Sequence, residues 1–182
     1  LPKFSIPTPG KNEIGLILDS NDVWYYEQQE LGYNYRMTDI SAALGNSQLK
    51  KLPQFITKRR HLAKRYDELF ADTDIISTVS EIFRDLSGLH LYVIDIPFEN
   101  IRISKSDFML ELRDQKIGTQ VHYIPLYRQP YFKMKYNIDR QNYKNSEMHY
   151  ASALSIPLYF ALSDDDQDYI VSTINKLICK YV

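Results

Sequence analysis

The stretch Leu31-Gly32-Tyr33-Asn34-Tyr35-Arg36-Met37-Thr38-Asp39 packs an amide, a guanidinium and two phenols into a turn. The apolar positions Ile40, Ala43 and Leu44 follow it at helical spacing. Gly32 opens backbone conformations that other residues avoid, and Thr38 or Asp39 can cap the helix that begins there. Asn34 and Arg36 then sit just ahead of a helix N-terminus, where unpaired amides and the dipole favour an anion. The planar fork of Arg36 suits a phosphate. Spacing alone fits an ordinary capped loop better than an anion site, so the residues by themselves leave both readings standing.

Downstream, Leu49 and Leu52 continue the helical period, Gly45 is a weak point, and Pro53 fits the first turn of a second helix. Phe55, Ile56, Arg59, Leu62, Ala63, Tyr66, Leu69 and Phe70 trace an apolar stripe at offsets of three and four. Residues 72–87 read as a weak strand or loop. Leu89 to Ile96 alternates as a strand does and stops at Pro97. Ser104 with Asp107 resembles a capping box for a helix through Phe108, Met109 and Leu112, which Gly118 is expected to close. Thr119 to Ile124 is again extended in character. Asn145 is the expected cap of a helix through Met148 and Leu154, Ser155 to Leu158 a short strand, and Ser163 with Asp166 the cap of a closing helix through Ile170, Ile174 and Ile178. Upstream, residues 1–12 carry three prolines and read as an irregular arm, followed by an apolar run at Ile14 to Leu18. This order predicts an α+β fold, a small and mostly antiparallel sheet covered by helices.

Composition narrows the function classes. With 44% hydrophobic and 25% charged residues, the 182-residue chain has material for a proper core. A net charge of −1 with scattered lysine and arginine offers no broad basic surface for nucleic acid. The single cysteine, Cys179, rules out an intrachain disulfide and suits a reducing compartment. No apolar run approaches membrane-spanning length, so a cytoplasmic location without membrane contact is the default expectation. The chain opens on Leu1-Pro2-Lys3-Phe4 and not on methionine, as a fragment or processed product would. There is no metal-binding pattern: the four histidines stand far apart and no His-Glu-x-x-His occurs. His61 and His149 read as surface or half-buried residues, and His90 as a strand residue serving the core. His122, followed by Tyr123 at a strand's end ahead of Pro125 and a tyrosine-rich loop, stands where scaffolds commonly expose functional groups. Its residues alone leave a functional and a structural role equally open.

The run from Trp24 to Ile40, with Ala42-Ala43-Leu44-Gly45 and Gln48-Leu49, resembles the DegT/DnrJ/EryC1/StrS family of pyridoxal-phosphate sugar aminotransferases. Gly118-Thr119-Gln120-Val121-His122-Tyr123-Ile124-Pro125-Leu126 resembles the family's late motif, and 154–159 and 162–168 its closing segments. Within the family the likeness is to enzymes that aminate UDP-linked 4-keto-6-deoxy-N-acetylhexosamines, of the UDP-4-amino-4,6-dideoxy-N-acetyl-beta-L-altrosamine type. The resemblance implies the C-terminal small domain of a fold-type I transferase over 38–182, preceded by an arm and a loop for the cofactor phosphate over 1–37. It further implies pyridoxal 5'-phosphate as cofactor, a UDP-linked keto-sugar and glutamate as substrates, and a homodimer with shared active sites. In that setting Asn34 contacts the cofactor phosphate across the dimer, Arg36 lies close to the cofactor and the substrate's diphosphate, and His122 and Tyr123 face the nucleotide-sugar of the neighbouring subunit. Amide and guanidinium suit phosphate oxygens, while imidazole and phenol suit a diphosphate or sugar hydroxyl. Family members often carry histidine where Tyr127 stands, so no role passes to that position.

Pyridoxal-phosphate chemistry also needs a reactive lysine and an acidic partner for the pyridine nitrogen. In the family both come from a large domain upstream of Leu1, and no lysine here lies in that motif. The expectation is therefore that no catalytic residue lies in this chain and that it does not transaminate alone. Two other readings stay open: a sugar dehydratase of the same family, in which histidine replaces that lysine, and a non-catalytic binding or dimerisation module.

Overall fold

The structure, a computed structural model, describes residues 31–78, 86–136 and 138–182. The expected arm over 1–12 and the run at 14–18 lie outside these residues, as do positions 79–85 of the weak strand or loop. Contacts divide the chain into two units, Leu1–Ala43 and Leu44–Val182.

In the first unit, residues 31–38 have no regular structure and lie exposed, with the rings of Tyr33 and Tyr35 stacked at 5.1 Å. Thr38 is the cap: its Oγ1 accepts from the Ser41 amide at 3.3 Å and its carbonyl from the Ala42 amide at 2.9 Å. Gly32 adopts no left-handed backbone angle, so the freedom expected of it is not used there.

Helix α1 (Asp39–Phe70) starts at that cap and runs on through Pro53, where a second helix was expected to begin. Proline there removes the N–H that would reach the Leu49 carbonyl, yet a single lost bond does not end a helix whose far half is fixed by packing. Leu62, Ala63, Tyr66 and Phe70 are its buried residues, as the stripe predicts.

The sheet has three antiparallel strands, β1 (Ser77–Thr78), β2 (Tyr92–Asp95) and β3 (Ala153–Ile156), in the order β1-β2-β3. Tyr92 pairs with Ile156 and Asp95 with Ala153. Alternation along β2 buries Tyr92 and Ile94, and Ile96 beyond it, in one cluster with Phe108 and Leu112 of α2 (Lys105–Asp114) and with Ile170, Ile174 and Ile178 of α5 (Asp164–Tyr181). Each of these side chains, fully buried, contributes about 1.5–3 kcal/mol relative to exposure. Two shorter helices, α3 (Pro130–Tyr136) and α4 (Lys144–Ser152), lie between α2 and β3 in sequence. The expected α+β fold, a small antiparallel sheet with helices against it, is the one observed.

The helix ends explain the local geometry. Ser104 caps α2 and Ser163 caps α5, the latter in a full capping box with Asp166. The close of α2 departs from expectation. Lys116, not Gly118, takes the left-handed backbone angle, at φ 65°. The Ile117 amide donates to the Leu112 carbonyl and the Lys116 amide to the Arg113 carbonyl, both at 2.9 Å, which is a Schellman closure. Burial of Ile117 against the core fixes the turn two residues earlier than Gly118 would. Asn145 likewise lies inside the first turn of α4 and is not its cap, which is Tyr143. Thr119 to Ile124 forms no strand, only a bridge between Gln120 and Ser155, and β3 lies at 153–156 where 155–158 was expected. His90 is exposed ahead of β2 and does not serve the core. No helix among the described residues is long and apolar enough to cross a membrane.

Candidate functional site

The segment after α2 is held against β3 by two backbone bonds, Gln120 N–H to the Ser155 carbonyl at 3.1 Å and Ser155 N–H to the Gln120 carbonyl at 2.9 Å. This clamp sets the register of the next residues. Two positions on, the His122 ring reaches back to Ser155, with Nδ1 and Oγ 2.8 Å apart. His122 and Ser155 share the wall of a cavity of about 460 Å³ with Lys116, Thr119, Tyr159 and Tyr169. The cavity also borders Asp166, so a cation and an anion meet it from opposite helix ends. Asp166 is held ionised, its carboxyl lowered first by the Ser163 hydroxyl and then by the Ser163 amide. Tyr169 is tied down by donating to the Gln115 carbonyl at 3.1 Å. Hydroxyls, an imidazole and one charge of each sign around apolar walls are donors and acceptors suited to a polyhydroxylated or phosphorylated ligand.

Tyr123 does not line this cavity. Its side chain is 75% exposed and stands edge to face with the His122 ring at 4.7 Å, across a cis His122–Tyr123 peptide bond. The pair singled out in the sequence is therefore split: His122 forms cavity wall and Tyr123 points outward. Asn34 and Arg36 belong to the first unit, both exposed, and neither hydrogen-bonds or ion-pairs among the described residues.

Beyond Pro125 the chain turns through Leu126–Arg128 and is pinned to α4. Arg128 grips Glu147 with both arms of its fork, Nε donating to Oε1 at 2.8 Å and the second nitrogen to Oε2, and lies 4.9 Å over the Tyr150 ring. The guanidinium holds the Glu147 carboxyl at a pKa of about 2. Tyr127 stacks on Tyr143 at 4.8 Å, and burial, then the Glu147 carboxylate, push its phenol up.

Lys105 is the described lysine whose pKa burial lowers. It donates at 2.8 Å to the Tyr150 carbonyl in the last turn of α4, which is the work of a helix-end partner. Among the described residues no three His, Cys, Asp or Glu side chains are grouped to hold a metal ion. The sequence did not reveal Ser155, Tyr159 or Tyr169 as site residues; a serine within an apolar run is the only signal it carried, and Ser155 lies 33 positions from His122.

The chain is similar to proteins of one family. Residues 15–175 match the model of the DegT/DnrJ/EryC1/StrS aminotransferase family. The chain is 35% identical over 159 residues to the uncharacterized protein MJ1066 of Methanocaldococcus jannaschii, covering 87% of this chain and 41% of that one. It is 32% identical over 158 residues to the UDP-4-amino-4,6-dideoxy-N-acetyl-beta-L-altrosamine transaminase of Campylobacter jejuni, with 87% and 41% covered. Among solved structures, the putative sugar aminotransferase Spr1654 from Streptococcus pneumoniae, in its PMP-form, superposes with a TM-score of 0.75 at 29% identity, over 86% of this chain and 39% of that one. The chain spans about two fifths of the length of these relatives. Family match, sequence identity and fold agree, and on their joint strength the chain belongs to the DegT/DnrJ/EryC1/StrS aminotransferase family, whose aminotransferases depend on pyridoxal 5'-phosphate.

Proposed function

We propose that this chain is the C-terminal part of an aminotransferase that moves an amino group from an amino acid, glutamate by preference, to a nucleotide-linked 4-keto-6-deoxy sugar. Residues 38–182 form its small domain, and its active sites are shared between two copies. The observation that carries the reading is the wall built by His122: an imidazole fixed by Ser155 on a cavity of about 460 Å³, within the segment that matches the family.

Pyridoxal 5'-phosphate, when bound, carries the amino group and draws electrons from the carbon that holds it. The residues of this chain fit one end of that group. Asn34 and Arg36 present unengaged donors ahead of the α1 N-terminus, a donor set matched to a phosphate ester. The reactive lysine and the acidic partner of the pyridine nitrogen are assigned, by the family resemblance, to the part of the relatives that this chain does not span. His122 donates from the ring nitrogen that Ser155 leaves free, to a diphosphate or sugar oxygen. Tyr123, exposed beside it, offers its phenol to the same ligand from outside the cavity.

Uridine diphosphate is the probe for this reading. With a Kd of about 1 mM, 10 mM UDP stabilises the chain by about 1.4 kcal/mol, which at this length raises the melting temperature by about 3–6 °C. His122→Ala is expected to abolish the rise. With added pyridoxal phosphate the chain is expected to show no lysine-dependent visible band. A UDP-induced rise that survives in His122→Ala, or such a band, would overturn the proposal.

A further inference from the structure

Ser155 is out of character with its strand. All four residues of β3 are buried, and the others are Ala153, Leu154 and Ile156. Ser155 is 6% exposed, and a hydroxyl in that position needs a partner. Among the described residues the only one its side chain has is His122 Nδ1, at 2.8 Å. The wall around them carries Leu91, Pro157 and Leu162 together with Thr119, Tyr159 and Asp166, and among the described residues none of these polar side chains hydrogen-bonds the serine hydroxyl.

That environment decides which way the proton points. Were Nδ1–H to donate to Oγ, the serine's own hydrogen would be left without an acceptor in a buried site. With the hydroxyl donating to Nδ1, both groups are satisfied, and the neutral ring carries its hydrogen on Nε2. The two Gln120–Ser155 backbone bonds hold the histidine segment and the serine in one register, which keeps the two side chains within reach. We propose that Ser155 is a positioning residue: its O–H to Nδ1 bond fixes the His122 ring and locks it as the Nε2–H tautomer, a ready donor to an oxyanion. The assignment of that donor to a nucleotide diphosphate rests on the function proposed above; the tautomer itself does not.

The test is nitrogen-15 NMR of the imidazole in the ligand-free chain, at a pH where His122 is neutral. The wild type is expected in the Nε2–H form. Ser155→Ala is expected to lower the Nε2–H to Nδ1–H ratio about fivefold, the worth of one ordinary hydrogen bond, and Ser155→Thr to restore it. Should the alanine variant fail to fold, Ser155→Cys, with its weak S–H donor, serves instead and is expected to lower the ratio. An Nδ1–H wild type, or a ratio unmoved in alanine and cysteine variants, overturns the assignment. UDP affinity measured on the same proteins separates the two claims. A fivefold loss in Ser155→Ala with recovery in Ser155→Thr supports both, whereas a tautomer that shifts while the wild type binds no UDP upholds the positioning and defeats the functional reading.

Discussion

Replacing Lys116 by glycine is expected to stabilise the protein, although it removes a charged side chain from the rim of the cavity. Lys116 holds φ at 65°, where a residue with a Cβ is penalised by roughly 1–2 kcal/mol. Glycine removes that penalty and adds about 0.5–1 kcal/mol of backbone entropy to be lost on folding. The side chain is exposed, so little packing is forfeited. The balance is about 0.5–1 kcal/mol in favour of Lys116→Gly, a rise of about 1–4 °C in melting temperature for a chain of this length. Gly118→Ala is the counterpart. Gly118 lies outside the left-handed region and no atom lies within 4 Å of an added Cβ. That variant is expected to gain about 0.4–1 kcal/mol by restricting the unfolded chain. Both are read by thermal melting followed by circular dichroism and by urea titration. If Lys116→Gly melts lower and Gly118→Ala loses stability, glycine closes α2 after all and the Schellman assignment is wrong.

Two further perturbations probe the surroundings of the site. The Glu147 carboxyl is held from 4.5 down to about 2 by Arg128, so its share of stability is complete above pH 4.5 and disappears as the pH falls through about 2. Glu147→Gln is therefore expected to flatten the fall in melting temperature between those values and leave a smaller difference from wild type at the acid end. Ser163→Ala removes the hydroxyl that accepts from the Asp166 amide at 3.1 Å, and is expected to cost about 1 kcal/mol in urea unfolding, within the 0.5–2 kcal/mol range of such caps.

What was legible in the sequence was what local physics decides. The caps at Ser104 and Ser163, the stripe ending at Phe70 and the alternation of β2 each depend on neighbours within four residues, and all appear, β2 over Tyr92–Asp95 where 89–96 was expected. Three of the misses share one cause, in that the deciding contact is distant. Pro53 reads as a helix start until packing of the far half of α1 outweighs one absent amide. Gly118 reads as a helix stop until burial of Ile117 pulls the turn forward onto a lysine. The extended segment at 119–124 has only Gln120 paired, opposite Ser155 on the outer edge of β3. At the site, His122 stood out through its motif, but the serine that holds it could be found only after Gln120 and Ser155 were known to pair.

The measurement closest to the central claim is backbone amide NMR of the chain titrated with UDP. Binding at the proposed site shifts signals from Gly118 to Tyr123 together with those of Ser155 and Ile156, which flank the same cavity. Shifts gathered instead around Lys133 and Arg140, or around Glu111 and Lys176, where other hollows lie, would contradict it.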